Sequence, residues 1–360
     1  MRELARPPGE QAHPPGHAQA HPPGHAQAPL PEQAQAHPPG HAQAPLPEQA
    51  QAHLPGQVQM AADPDSLFDR VPCLAAAPRT IEALPGGLTN RNYKVTTPEG
   101  TFVARVWTPG DLLAINRDHE HHNSVAAAAA GVGAPVVAYQ PADCVLVLRY
   151  LSGHTLGDED VRDPAMTPRI ARACRQLHAG PRFAGEFNMF EVQRRYLTVA
   201  RKHQITIPAG YTGLMPQVEA ARKALAVRDA GTVPCNNDLL AANFIDDGAR
   251  IWLIDYEYSG NNDPCFELGN IWAECGLSTD GLAALVRGYY QRPLRNKIAR
   301  ARILGLVGKY GWTLWGAIQR ATSPIEFDFW SWAMERYESA ATVLTSPAFA
   351  RLLEDVVRDD

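Results

Sequence analysis

Two acids and an amide fall in a short, fixed spacing: Asn236-Asn237-Asp238-Leu239-Leu240-Ala241-Ala242-Asn243, followed by Leu253-Ile254-Asp255-Tyr256-Glu257-Tyr258. Asp238 follows the apolar Thr232-Val233-Pro234-Cys235 and reads as a loop residue able to point into a cleft. Asn243 comes five residues later, and Asp255 closes Ile251-Trp252-Leu253-Ile254, a run with the character of a buried strand. Taken singly, these residues have ordinary structural uses: Asp caps a helix, Asn closes a turn, Asp ends a strand. Taken together they fit one metal site with a base beside it. Phosphoryl transfer needs a base for the attacking hydroxyl, oxygen ligands for a hard divalent cation, and positive groups on the phosphates.

The rest of the chain divides sharply in composition. From His13 the octapeptide His-Pro-Pro-Gly-His-Ala-Gln-Ala recurs at 21 and 37, alternating with Pro-Leu-Pro-Glu-Gln-Ala-Gln-Ala at 29 and 45. Such units offer almost nothing to bury against chain entropy, so residues 1–60 are expected to be a disordered tail. Seven of the 13 histidines lie there. They read as repeat expansion rather than a metal site, because a flexible chain must first be ordered for several imidazoles to converge on one ion.

Beyond the tail the chain has ordinary globular chemistry, with 45% hydrophobic and 20% charged residues overall. The formal charge of −5 leaves −3 outside the tail, which gives no surface suited to a nucleic acid. Cysteines at 73, 144, 174, 235, 265 and 275 form no Cys-x-x-Cys pair, as expected of free thiols in a reducing compartment. No apolar run reaches the roughly 18 residues of a membrane span. Nor does the start of the chain, Met1 to Pro8, resemble a secretory signal, so a cytoplasmic protein without membrane insertion is expected. Nothing in the sequence specifies an oligomeric state.

Short β-rich runs separated by turns extend from Thr80 to Val106: Ile81 to Leu84, Asn92 to Val95 and Phe102 to Trp107, with the glycine loop Pro85-Gly86-Gly87-Leu88-Thr89-Asn90 at the first turn. Arg117 to Ala130 has helical character, and Cys144 to Tyr150 is an apolar strand running into Leu151-Ser152-Gly153. Helical stretches then dominate, among them Pro168 to His178, Phe190 to Arg201 and Met215 to Val227, with a β-rich insert from Asn243 to Tyr258. The fold class is therefore α+β, with two lobes expected: a β-rich N-lobe over 61–151 and a mainly helical C-lobe over 152–360.

The order of glycine loop, Phe102-Val103-Ala104-Arg105-Val106 strand, helix with Glu120, Asn-Asp-Leu-Leu-Ala-Ala-Asn loop and Leu-Ile-Asp-Tyr-Glu-Tyr strand resembles the choline/ethanolamine kinase family, within the aminoglycoside-phosphotransferase-like, protein-kinase-like fold. The likeness runs over roughly residues 75–345. It implies ATP and Mg²⁺ as cofactors, Asp238 as catalytic base, and Asn243 and Asp255 as metal ligands. It further implies Arg105 on the nucleotide phosphates, oriented by Glu120, and a phosphate-covering loop that includes Gly86, Gly87, Thr89 and Asn90. Arg149 to Leu151 would lie at the interlobe hinge beside adenine. One departure is visible: the family's loop begins His-Asn-Asp, whereas this one begins Asn236-Asn237-Asp238. Arg105, where protein kinases carry Lys, agrees with the family.

Trp312 and Trp315 are three apart and share a helix face. Alone they would read as packing core. The resemblance places them with Trp332 among the aromatic positions that line the family's choline pocket, and Tyr258 lies close enough to Asp255 to join them. Aromatic faces attract a quaternary ammonium, which has no N–H to donate. Glu267 reads as a brace for the loop, with a solvated surface acid as the alternative, and His178, at a helix end before Gly180, as structural. The expected activity is phosphorylation of the hydroxyl of choline or a related amino alcohol. Two alternatives stay open: a kinase for ethanolamine, thiamine, an aminoglycoside or a sugar, and a nucleotide-binding protein of weak activity, since Asn236 replaces the histidine.

Overall fold

A computed structural model describes residues 64–110, 112–113 and 115–360. The repeat tail, and with it the expectation of disorder over 1–60, lies outside the described residues. After a short helix, α1 (Pro64–Phe68), come β1 (Thr80–Leu84), β2 (Asn90–Thr97), β3 (Gly100–Trp107), α2 (Arg117–Ala129), β4 (Val136–Gln140) and β5 (Val145–Arg149). The strands form one antiparallel sheet in the order β1-β2-β3-β5-β4.

Alternation along β3 decides what each face of this sheet does. Phe102, Ala104 and Val106 pack with Phe68, Val71 and Leu74 and with Val145 and Val147 of β5. Arg105 takes the opposite face, opposite Leu146 in the register. Helix α2 starts where the Asn116 side chain accepts a hydrogen bond from the backbone N–H of His119. Its first turn then brings Glu120 to Arg105, while Ala126 and Ala127 join the larger core of the helical lobe.

The chain continues through β6 (His154–Thr155), α3 (Asp158–Arg162), α4 (Thr167–His178), α5 (Met189–Lys202), α6 (Met215–Ala226), β7 (Val233–Cys235), β8 (Phe244–Asp246), β9 (Ile251–Leu253) and β10 (Gly260–Asn262). Helices α7 (Pro264–Glu274), α8 (Thr279–Tyr290), α9 (Arg295–Thr322), α10 (Phe329–Leu344) and α11 (Pro347–Val356) complete it. β7 pairs with β10, and β6, β8 and β9 form a small sheet. These pairings clamp both ends of two loops, 236–243 and 254–259. The expected helices recur within one or two residues of their sequence limits, but the Trp-rich region, left undivided by sequence, resolves into α9 and α10.

Helix α9, 28 residues long, runs buried through the helical lobe between α5, α7, α10 and α11. Its contact with α7 is backbone to backbone. A Cβ on Gly269 would collide with the carbonyl oxygen of Ala301, and one on Gly305 with the carbonyl oxygen of Gly269. Only glycine permits this approach. It holds α7, which carries Glu267 and Glu274, tightly against α9. No helix among the described residues is long and apolar enough to cross a membrane.

Candidate active site

The loop after β7 is held by hydrogen bonds both to its backbone and from its asparagine side chains. Glu267, fully buried on α7, accepts the N–H of Asn236 and the N–H of Asn237, each at 2.8 Å. Asn237 takes a left-handed backbone (φ 69°), a conformation asparagine tolerates. Its amide nitrogen donates to the carbonyl of Tyr258 at 3.1 Å, and its oxygen accepts from Asn262 at 2.9 Å. Asn236 joins the two loops: Nδ2 donates to the carbonyls of Ile254 (3.1 Å) and Asp255 (2.8 Å), and Oδ1 accepts the N–H of Asp238 (3.0 Å). The residue that departs from the family's histidine is thus the tie between Asp238 and Asp255. His178 sits behind this loop, Nδ1 at 2.7 Å from the Tyr289 hydroxyl and Nε2 at 3.6 Å from both Cys235 Sγ and Glu267.

Asn243 Nδ2 donates to the Asp238 carbonyl at 2.7 Å, and the Asn243 carbonyl accepts from Ile254 N–H at 3.0 Å. The amide oxygen of Asn243 is then the side-chain atom available to a cation. Asp255 also has a left-handed backbone, φ 64°. Burial raises the Asp238 carboxyl well above the usual carboxylate range, and Asp255, Glu274 and Glu257 raise it further against the opposing charge of Arg336. A carboxylate so placed has an enhanced proton affinity, which suits a base.

Across the cleft, Arg105 is buried among acids. Its guanidinium lies 2.6 Å from Asp255, 3.1 Å from Glu120 and 3.8 Å from Glu257. Burial opposes the charge, but Asp255, Glu120 and Glu257 outweigh it and hold Arg105 above its ordinary value. Arg117, one helical turn before Glu120, donates to Glu120 at 2.7 Å and approaches Glu257 at 3.4 Å. Glu257 also accepts from Thr89 Oγ1 at 2.7 Å and Asn90 Nδ2 at 2.6 Å. Burial and the neighbouring Asp255 push its carboxyl up to about 7, against Arg105. Glu257 and Arg117 escaped the sequence reading. The available signals were Glu257's place two residues after Asp255 and the three-residue spacing of Arg117 and Glu120.

The glycine loop has the conformation its composition demands. Gly86 and Gly87 have φ of 84° and 86°, and a Cβ on Gly87 would lie 2.6 Å from the Asn90 carbonyl oxygen. The loop reaches the helical lobe twice, through Thr89 and Asn90 to Glu257 and through the Leu88 carbonyl, which accepts from Gln319 of α9 at 2.8 Å. The strand register sets the direction of the Arg149 side chain. Its register partner on β3 is Phe102, so its side chain takes the face opposite Arg105, and its guanidinium stacks on the Phe102 ring at 4.8 Å. The side chain from that strand that lines the cavity with Arg105, Glu120 and Asp255 is Leu148, joined there by Ala134 and Ile254. Leu151 follows the end of β5, half-buried, where the sheet gives way to the helical lobe.

The four aromatic residues picked from sequence do meet. Trp315 Nε1 donates to the Tyr258 hydroxyl at 2.7 Å, Tyr258 packs edge-on to Trp312 at 5.0 Å, and Trp315 lies 5.0 Å from Trp332. Three polar atoms here are buried and without a hydrogen-bond partner: Trp312 Nε1, Glu274 Oε1 and Arg336 Nε. The other Glu274 oxygen pairs with Arg336, whose guanidinium lies 3.5 Å from the centroid of the Trp332 ring. Glu274 and Arg336 both act on Asp238 electrostatically, so acid, arginine and aromatic wall border one space. Sequence reading missed this pair. Arg336 follows Trp332 by one helical turn, but the pairing with α7 has no local signature.

A sheet lobe bearing a buried Arg–Glu pair, and a helical lobe bearing a braced Asp-x4-Asn loop with a strand-end Asp, define a protein-kinase-like small-molecule phosphotransferase. The family model of choline/ethanolamine kinase matches residues 81–284, and the chain belongs to that family. A choline/ethanolamine kinase family protein from Mesorhizobium loti superposes with a TM-score of 0.72 at 32% identity, covering 82% of this chain and 98% of that one. Choline kinase LicA from Streptococcus pneumoniae gives 0.64 at 26% identity, covering 74% and 92%. Ethanolamine kinase 2 from Mus musculus is 27% identical over 284 residues, 70% of this chain and 72% of its own. An aminoglycoside phosphotransferase solved with gentamicin shares the fold at 12% identity, with a TM-score of 0.58. The protein is an enzyme that phosphorylates the hydroxyl of a small molecule.

Proposed function

We propose that the enzyme transfers the terminal phosphoryl group of ATP to the hydroxyl of choline. The observation that carries this reading is the aromatic wall of Tyr258, Trp312, Trp315 and Trp332 beside Asp238, completed by a buried carboxylate oxygen of Glu274 with no partner. Ring faces attract a cation without requiring an N–H, and Glu274 supplies the opposite charge. Asp238 accepts or orients the hydroxyl proton. Asn243 and Asp255 offer the hard oxygen donors that suit Mg²⁺, which when bound offsets charge on the phosphates. Arg105, held by Glu120, faces the phosphates, and the loop of Gly86, Gly87, Thr89 and Asn90 covers them. Asn236, with three hydrogen bonds linking Asp238 to the strand-end loop, supports an active enzyme. The free thiols support a reducing, cytoplasmic setting.

A second reading, ethanolamine, is favoured by the same free oxygen of Glu274, since a primary ammonium has N–H groups to donate to it. The test is a panel with full-length protein and Mg–ATP: choline, ethanolamine, thiamine, an aminoglycoside and a sugar. Choline should show the highest kcat/KM. Preference for ethanolamine would move the assignment to the second reading, and turnover only of a sugar or aminoglycoside would overturn both. Asn236→His should leave kcat unchanged; a large gain would mark the native enzyme as catalytically weak.

A further inference from the structure

The Glu274–Arg336 pair has no part in the phosphoryl-transfer set, yet it is built with unusual asymmetry. Glu274 on α7 and Arg336 on α10 are joined through one carboxylate oxygen, while the other is buried and without a partner. Side-chain exposure is 5% for Glu274 and 14% for Arg336. Three contacts hold Arg336, whose Nε is buried without a partner: its guanidinium lies over the Trp332 ring, its Nη1 donates to the Trp332 carbonyl at 3.4 Å, and its Nη2 reaches Glu274. The charged groups facing this pair are Asp238 from the catalytic loop and Lys309 from α9. Three carboxylates, those of Asp238, Asp255 and Glu257, already stand around the same cleft.

We infer that Arg336 is a specificity-determining positioning residue: by holding one oxygen of Glu274 it fixes the orientation of that carboxylate and aims the other oxygen at the positive head group of the substrate. Arg336 does not itself contact substrate in this role. It covers Trp332 from one side, which leaves the remaining aromatic wall and the free oxygen as the cation's surroundings. The prediction is that the enzyme's ability to tell a charged head group from an uncharged one of the same shape depends on Arg336. This inference rests on the reading of the substrate as an amino alcohol.

The experiment compares choline with 3,3-dimethylbutan-1-ol, its uncharged carbon isostere, in the wild type, Arg336→Gln and Arg336→Lys. In Arg336→Gln, KM for choline should rise about tenfold or more, as for loss of a charged partner contributing about 1.4 kcal/mol. The isostere's KM and that for Mg–ATP should stay within about twofold, so that the ratio between the two alcohols collapses. Arg336→Lys should restore most of the discrimination, and it remains informative if the Gln variant fails to fold. A purely structural role would lower kcat and worsen both alcohols alike in both variants, which would overturn the inference, as would unchanged discrimination. If the wild type itself turns over neither choline nor ethanolamine, the substrate reading fails instead, independently of the variants.

Discussion

The catalytic loop and the aromatic pocket sit side by side, but their polar groups are treated in opposite ways. In the loop, the carboxylate of Glu267 and the amides of Asn236 and Asn237 are engaged by backbone and side chain before any ligand arrives. In the pocket, Trp312 Nε1 and Glu274 Oε1 are buried and without a partner. An unsatisfied buried polar atom costs free energy, so it persists where a ligand or water supplies the missing partner. The loop is preorganised for one chemistry, holding Asp238, Asn243 and Asp255 whatever the acceptor. On the proposed function, the pocket stays incomplete until the acceptor fills it.

The sharpest way to break this contrast is at Asp238. Asp238→Asn should lower kcat by about 10²–10⁴, the usual range for a general base, with the fold retained. Steady-state kinetics with near wild-type kcat would remove Asp238 from the chemistry. Next in size is the brace. Glu267→Ala leaves two backbone donors buried and unpaired, each costing about 1–3 kcal/mol, so unfolding free energy should fall by roughly 2–6 kcal/mol. Chemical denaturation measures this, and a change below about 1 kcal/mol would mean the loop holds itself.

The pocket should respond in affinity rather than in stability or turnover. Trp315→Ala should raise KM for choline by about 2- to 30-fold, corresponding to about 0.5–2 kcal/mol, with kcat little changed. Equal KM values for every alcohol would return the indole to packing. The smallest effect is a pH signature in stability. The folded Asp238 carboxyl binds its proton more tightly than the unfolded chain does, so its contribution is favourable at acid pH and declines as pH rises above the unfolded value of about 3.9. Asp238→Asn should therefore melt higher than the wild type near pH 8, with the gap closing toward about pH 4. A gap independent of pH would show that the native carboxylate is not destabilised by its surroundings.

Much of the fold was legible before the structure. The alternation in Phe102 to Trp107, the punctuation at Gly86 and Gly87, and the spacing of Asp238, Asn243 and Asp255 are local patterns, and each reports on the backbone that carries it. The aromatic residues were legible through resemblance. The face taken by the Arg149 side chain was not legible for a definable reason: it is set by pairing with Phe102, and the register cannot be read from the strand alone. Arg117, Glu257 and the Glu274–Arg336 pair went unseen because each acts across elements far apart in sequence.

What the sequence by itself determined is the set of residues: Asp238, Asn243, Asp255, Arg105 and the indoles of Trp312, Trp315 and Trp332, picked out by spacing, residue type and family resemblance. Tertiary structure decided which groups are satisfied and which are left open. That outcome depends on the close crossing of α7 and α9 at Gly269 and Gly305, which sets Glu267 beneath the loop and Glu274 beside the indoles. A hydrogen bond or an ion pair depends on distances between elements, and those are fixed only when the helices pack.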